Sequence, residues 1–295
     1  MYVILGGTGH VGKAVTDELI AQNKKVTVIT HDPKKVEQIE KNGAFAVIAD
    51  VMDSEQLRQA FSLGKRLFLL NPPADPKTDT AAAERKTLKS ILKALEGSGI
   101  EKVVAESTGG AQPGDKIGDL GVLYEMEQEL KKLPLKVNII RAGYYYSNWD
   151  GFLETAKAKG KIYTMYPADF KLPMAAPQDI GRFAAGLISS DNHNNEPYDF
   201  FGPDHYSAND VAEAFSKALG KPVATEEIPE NSWIDFLMSA GFCSEAAQSM
   251  AAMTKITLEK NYKQPKNIQR GLTTIHEYVE QLVKREKQFN ALKPL

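Results

Sequence analysis

Tyr2-Val3-Ile4-Leu5-Gly6-Gly7-Thr8-Gly9-His10-Val11-Gly12 opens the chain with a short apolar run that stops at glycine, and glycine then recurs at 9 and 12. A four-residue apolar run ending this way reads as a buried parallel strand. From Val11 onward Val11, Ala14, Val15 and Leu19 follow at helical spacing. Between strand and helix, Gly6 permits a tight turn, Gly9 lets backbone approach a phosphate, and Gly12 lets the helix pack on the strand. The free N–H groups and positive end of the helix then face a pyrophosphate. The Gly-Lys-Ser/Thr of nucleotide hydrolases is absent. The stretch therefore predicts a dinucleotide site cradled by Gly6, Thr8, Gly9, His10, Val11 and Gly12.

Outward from this motif, strands and helices alternate. Residues 25–30 read as a second strand, and Asp32-Pro33 caps a helix that stops near Gly43. Residues 44–49 form a third strand, Asp53 or Ser54 opens the next helix, and 66–70 and 103–105 supply two more strands. Such alternation predicts an α/β fold, a Rossmann-type doubly wound parallel sheet with ligands beyond the carboxyl ends of its strands. A sixth strand falls at 137–140 and a later one at 198–201. The rest reads as a smaller, mostly helical C-terminal substrate lobe, with helices near 149–159, 208–219, 232–240 and 244–260 and a loop at 166–177. The expected domains are 1–147, with 176–202 returning to the sheet, and a lid lobe of 148–175 and 203–295.

At 295 residues, 42% apolar and 25% charged, the composition is that of a globular protein with room for both units. A net charge of −2 provides no broad basic field for nucleic acid or an anionic membrane. Cys243 is the only cysteine, so no intrachain disulfide forms, and the five histidines lack metal-ligand spacing; no metal site is expected. A strand starting at Tyr2 and the lack of a long apolar run lead us to expect a cytoplasmic protein.

In dinucleotide-binding folds an acid at the end of the second strand holds the ribose hydroxyls. Thr30 stands there, followed by His31 and by Asp32, which is better explained as the helix cap. With His31, Lys34 and Lys35 nearby, the pocket favours a 2′-phosphate and hence NADP(H) over NAD(H). The lysines also read simply as a solvated helix face.

The glycine loop, His31-Asp32-Pro33, Ala49-Asp50-Val51-Met52-Asp53, Ile140 through Asn148, Pro177-Gln178-Asp179-Ile180-Gly181 and Phe201-Gly202-Pro203 together resemble NmrA-like proteins. These are atypical members of the short-chain dehydrogenase/reductase superfamily that include NADPH-dependent quinone reductases and redox-sensing regulators. The resemblance implies that Asp50 and Val51 lie beside the adenine, Asn71 and Pro72 border the nicotinamide ribose, and Ser107 and Thr108 mark the nicotinamide end. NADPH-binding relatives often carry arginine where this chain has His31, a mostly neutral and weaker partner for phosphate.

Superfamily members that act on alcohols use Tyr-x-x-x-Lys. The nearest match, Tyr124 to Gln128, ends in a neutral side chain that cannot lower a phenol's pKa electrostatically. Tyr124 is retained as a candidate catalyst, though it reads as readily as an amphipathic helix residue. Alcohol oxidation and sugar epimerisation are disfavoured, and Ser107 lacks the Gly-x-Ser-x-Gly of a serine hydrolase. Quinone reduction demands less of the protein, which has mainly to orient the acceptor against the nicotinamide. Tyr144, Tyr145, Tyr146 and Trp149 are the candidate apolar floor for it, with core packing expected for at least one tyrosine. Two readings remain: a reductase of a quinone or similar small electrophilic carbonyl acceptor, and a non-catalytic NADP(H)-binding redox sensor. A homodimer and a regulatory partner are both compatible with the sequence.

Overall fold

A computed structural model describes residues 1–291. Strands β1 (Tyr2–Leu5), β2 (Val26–Thr30), β3 (Phe45–Ile48), β4 (Arg66–Leu70), β5 (Lys102–Thr108) and β6 (Lys136–Ala142) alternate with helices α1 (His10–Ala21), α2 (Val36–Lys41), α3 (Ser54–Phe61), α4 (Thr80–Leu95) and α5 (Asp119–Lys132). The chain then leaves the sheet through β7 (Tyr144–Tyr145), α6 (Leu153–Lys159), β8 (Lys161–Thr164) and β9 (Leu172–Ala175). It returns through α7 (Pro177–Ser189) and β10 (Tyr198–Phe201). Beyond these lie β11 (His205–Tyr206), α8 (Ala208–Leu219), β12 (Ala224–Glu227), α9 (Trp233–Ser239), α10 (Ser244–Leu258), β13 (Ile268–Arg270) and α11 (Ile275–Ala291).

Eight strands in the order β13-β10-β6-β5-β4-β1-β2-β3 make one sheet, every pair parallel. Period-two alternation divides its interior between two faces. Val3, Leu5, Leu67, Leu69, Val103 and Ala105 meet Leu57, Phe61, Ile91 and Met126 of α3, α4 and α5. Ile4, Phe68, Val104 and Ile140 meet Val11, Val15, Ile180 and Ala184 of α1 and α7. Strand order reverses between β1 and β4, which opens a crevice at the carboxyl ends where the glycine loop lies. A third cluster, built around Tyr146, Trp149, Phe215 and Tyr278, forms the core of the smaller C-terminal region.

The fold is α/β as expected, with three local corrections. Residues 166–177 are not all loop, because β9 lies within them and pairs with β7 and β11. The 149–159 helix begins as a 3-10 turn, Tyr146–Phe152, before α6. Residues 268–270, assigned above to the lobe, add β13 to the edge of the main sheet beside β10. Three residues carry too little periodicity to announce a strand, and β13 is fixed by pairing rather than pattern.

At the opposite end of the sheet the C-terminus of α7 meets two cations. Lys102 is almost wholly buried and donates to the carbonyls of Leu187, Ser190 and Asn192 at 2.7, 2.8 and 2.7 Å. Arg66 donates to Ile188 and Ser190 and pairs with Asp191. Positive charge here opposes the partial negative charge of the helix end and satisfies its unpaired carbonyls. Lys102→Met keeps the stem and removes all three of these hydrogen bonds, leaving the Ser190 carbonyl to Arg66 and the Leu187 carbonyl to the Ser190 hydroxyl. It is expected to cost about 3 kcal/mol in denaturant unfolding, whereas a loss below about 0.5 kcal/mol would show the ammonium to be dispensable.

Candidate cofactor and acceptor site

The loop after β1 is built by backbone requirements. Gly6 takes φ +85°, a left-handed conformation that side chains rarely adopt. A Cβ on Gly12 would lie 2.2 Å from the Gly6 carbonyl oxygen, so only glycine lets α1 start this close to β1. Gly9 is the extended N-cap and offers no side-chain cap, which leaves first-turn N–H groups of α1 directed into the crevice.

A cleft of about 560 Å³ lies over this loop, its floor made by Leu5, Gly6, Thr8 and Gly9. One wall is Ile29, Thr30 and His31 from β2 with Ala49, Val51 and Met52 after β3. The other is Leu70 and Pro72 through Asp75 with Ala83, Lys86 and Thr87 of α4. The β2 side is mostly apolar with a polar lip. At that lip Lys35, not Lys34, reaches the loop, its Nζ lying 3.4 Å from Thr8 Oγ1. Asp32 is spent as a cap, accepting the Lys34 N–H at 3.0 Å, and does not line the cleft.

Several of the residues singled out from sequence thus converge, namely Gly6, Thr8, Gly9, His31, Val51 and Pro72. Others stand outside the cleft lining. Val11 and Gly12 are buried beneath the loop, and His10 is exposed at the start of α1. Asp50 is exposed and caps its own turn through the Met52 N–H. Asn71 is buried and locked, accepting from Thr87 at 2.9 Å and donating to the Glu84 carbonyl at 3.3 Å. Ser107 is buried and donates to Glu127 at 2.6 Å, so its hydroxyl proton is already committed. Thr108 donates to the Gly109 carbonyl at 3.3 Å. Tyr124 lies on α5 near Arg141 and lines no part of the cleft.

The four aromatic residues do not form one floor. Tyr146 is fully buried, donates to the Thr273 carbonyl at 3.2 Å and packs against Tyr206 and Tyr278. Trp149 is core beside Phe152. Only Tyr144 and Tyr145 keep partial exposure. Tyr144 meets Tyr166 edge-on, and Tyr145 donates to Glu106 at 2.5 Å. The cause is local: the strand ends at Tyr145, and the following 3-10 turn swings the next rings into the lobe core.

Two carboxyl groups escaped the sequence reading. Glu84 of α4 is buried and accepts the Ala74 N–H at 3.0 Å; burial, reinforced by Asp119, raises its pKa to about 8. Glu106 of β5 is pushed to about 7 by burial, against the lowering effect of the Tyr145 hydrogen bond. Nothing in sequence separates these glutamates from solvated ones; only helix phase on α4 and a charge within a β-strand run hint at them. Among the described residues no cluster of potential metal ligands occurs, and no helix is long and apolar enough to cross a membrane.

An all-parallel sheet with a glycine loop at its switch point defines a Rossmann-type dinucleotide-binding fold. Within that class the NmrA-like family model matches residues 2–289, and the chain belongs to this family. It is 23% identical to an NAD(P)H azoreductase of Xenophilus azovorans over 223 residues, 76% of this chain and 75% of that protein. It is 22% identical to quinone oxidoreductase 2 of Escherichia coli (strain K12) over 253 residues, 85% of this chain and 86% of that protein. The structure of the Citrobacter sp. triphenylmethane reductase complexed with NADP(H) superposes with a TM-score of 0.78 at 18% identity, covering 96% of this chain and 100% of that one.

Glu84 gives the site a pH signature. Its folded pKa is raised above the unfolded value, so between 4.5 and about 8 the folded state holds more protons. Its contribution to stability is full below that window and is lost as pH rises through it. Glu106 adds in the same direction. Unfolding free energy should therefore fall as pH rises towards 8, and Glu84→Gln should make that slope shallower. An unaltered slope would mean that Glu84 is ionised in the fold.

Proposed function

We propose that this chain is an NADPH-dependent reductase of a quinone or similar small electrophilic carbonyl acceptor. The observation that carries the reading is the cleft over the uncapped N-terminus of α1, with Lys35, Thr8 and His31 at its lip. The residues fit a dinucleotide. First-turn N–H groups and Gly9 would take the pyrophosphate, and Val51, Met52 and Ile29 offer an apolar slot for adenine. Lys35 and His31 would face a 2′-phosphate. Pro72 and Ala74, held in place by Asn71 and Glu84, border the nicotinamide half. When bound, the cofactor supplies hydride, and the protein's part is to bind, orient and exclude water.

The acceptor would lie beyond the nicotinamide, between the half-buried Tyr144 and Tyr145 and the segment that packs α10 against α4. The relatives named as an azoreductase and a quinone oxidoreductase support acceptors that are flat and conjugated. Tyr124 outside the cleft and Gln128 one turn further on the same helix weigh against alcohol chemistry. The same absence of a Tyr-Lys pair is what favours the second reading, a redox sensor that binds the cofactor without turnover.

Calorimetric titration should show NADPH binding ahead of NADH. Lys35→Ala should weaken NADPH about tenfold while leaving NADH nearly unchanged. NADPH consumption with a panel of quinones then separates the two readings. Turnover establishes the reductase. Tight binding without turnover, with unequal affinities for NADPH and NADP⁺, would replace it with the sensor. If neither cofactor binds, both readings fall.

A further inference from the structure

Glu106 sits in register between Leu70 of β4 and Ile140 of β6, and strand alternation sends its side chain to the face covered by α1 and α7. The residue is 3% exposed. One carboxyl oxygen meets the Tyr145 hydroxyl at 2.5 Å, and the other is buried with no partner. An ionised carboxylate there would lose the hydration of its bare oxygen without replacement, so the neutral acid is the form this pocket accommodates. Burial accordingly lifts its pKa to about 7.

Glu106 and Tyr145 are not part of the cleft lining, but Glu106 is paired in register with a residue that is. That residue is Leu70, and a Cβ on Gly6 would lie only 3.1 Å from its Cβ. Tyr145 and Leu70 emerge partly exposed from the same apolar cluster, on either side of Glu106. Asp119, at the start of α5, is the further charged group that faces the phenol, and Glu84 in turn faces Asp119. All these neighbours are acids, which keeps the Tyr145 phenol neutral, its pKa raised well above the ordinary value chiefly by burial.

We propose that Tyr145 donates the proton that completes acceptor reduction, with Glu106 behind it as the proton reserve. The proposal rests on the reductase reading above. Hydride addition brings two electrons and one hydrogen to a quinone, oxidises the reduced nicotinamide to its cationic form, and leaves one acceptor oxygen anionic. The phenol O–H bond breaks towards that oxygen while the carboxyl O–H of Glu106 breaks towards the phenol oxygen. Glu106 is left as carboxylate and regains a proton from water once product departs. A 2.5 Å contact serves both states. With the carboxylate, Tyr145 donates to Glu106; with the acid, Glu106 donates and the phenol hydrogen is released towards the cleft.

The test uses the full chain, NADPH, and tetramethyl-1,4-benzoquinone, whose ring has no free position for thiol addition. Tyr145→Phe should lower kcat about 100-fold with KM and NADPH affinity little changed. The wild-type rate should fall as pH rises through about 7, and Glu106→Gln should be about tenfold slower and lose that fall. Glu106→Asp should partly restore both. Without cofactor, infrared titration should show a protonated carboxyl band that disappears near the same pH and is missing in Glu106→Gln. The proposal is overturned if Tyr145→Phe keeps its kcat or loses NADPH binding as well. It is also overturned if Glu106→Gln keeps the wild-type pH profile, or if the band is absent. Wild-type turnover with indifferent variants removes this proposal alone, whereas no wild-type turnover removes the reductase reading together with it.

Discussion

Everything in the larger unit depends on how closely α1 approaches the end of β1. The carbonyl of Gly6 occupies the space where any side chain at position 12 would stand. With glycine there, α1 starts against the centre of the sheet rather than beyond its rim, and its apolar stripe falls on Ile4, Val28 and Phe68. The helix then lies beside α7, so the same contact covers one face of the sheet and aims N–H groups at the switch-point crevice. Packing and the direction of these N–H groups are here one constraint, and a side chain at this position would forfeit both.

The smaller region is tied to this frame through polar joints rather than a continuous apolar seam. Asp179, buried at the start of α7, accepts from both the backbone N–H and the hydroxyl of Thr273, at 2.7 and 2.9 Å. The Thr273 carbonyl in turn receives the Tyr146 hydroxyl. One residue before α11 begins its capping turn therefore joins helix, lobe core and, through β13, the sheet edge. On the other side the Cys243 N–H donates to the Pro76 carbonyl at 2.8 Å, which ties the start of α10 to the loop that forms one wall of the cleft. Joints of this kind fix geometry while leaving the apolar core of the smaller region a cluster of its own.

Most of the sheet was legible because parallel strands buried on both faces announce themselves as apolar runs, and the glycine loop because its spacing serves a backbone need that no other residue meets. The β9 and β13 strands were not legible. Each is short, and each is determined by a neighbour distant in sequence, which periodicity does not record. At the site, Gly6, Thr8 and Gly9 follow from the strand end and loop position, whereas Val51 and Pro72 were reached only through the family resemblance. Lys35 was hard to separate from Lys34 because the difference is the phase of a single 3-10 turn. Tyr146 and Trp149 looked like a binding floor because aromatic clusters in cores and in pockets have the same composition; only the turn after Tyr145 tells them apart.

Ser107 and Glu106 show how much the two faces of one strand differ. Ser107 points to the α5 face, where Glu127 accepts its hydroxyl and takes two hydrogen bonds from Arg141, at 2.8 and 2.7 Å. That carboxylate is wholly buried yet fully partnered, which is the condition for a buried charge to persist. Glu106, one residue earlier on the opposite face, has a single partner and a bare oxygen. An ionised group whose every acceptor is filled is committed to structure, because moving a proton there would break several bonds at once. A neutral group with one short bond can exchange a proton at the cost of rearranging that bond alone. Strand alternation thus assigns the immobile charge to the face that binds β5, β6 and α5 together, and the mobile proton to the face that borders the cleft.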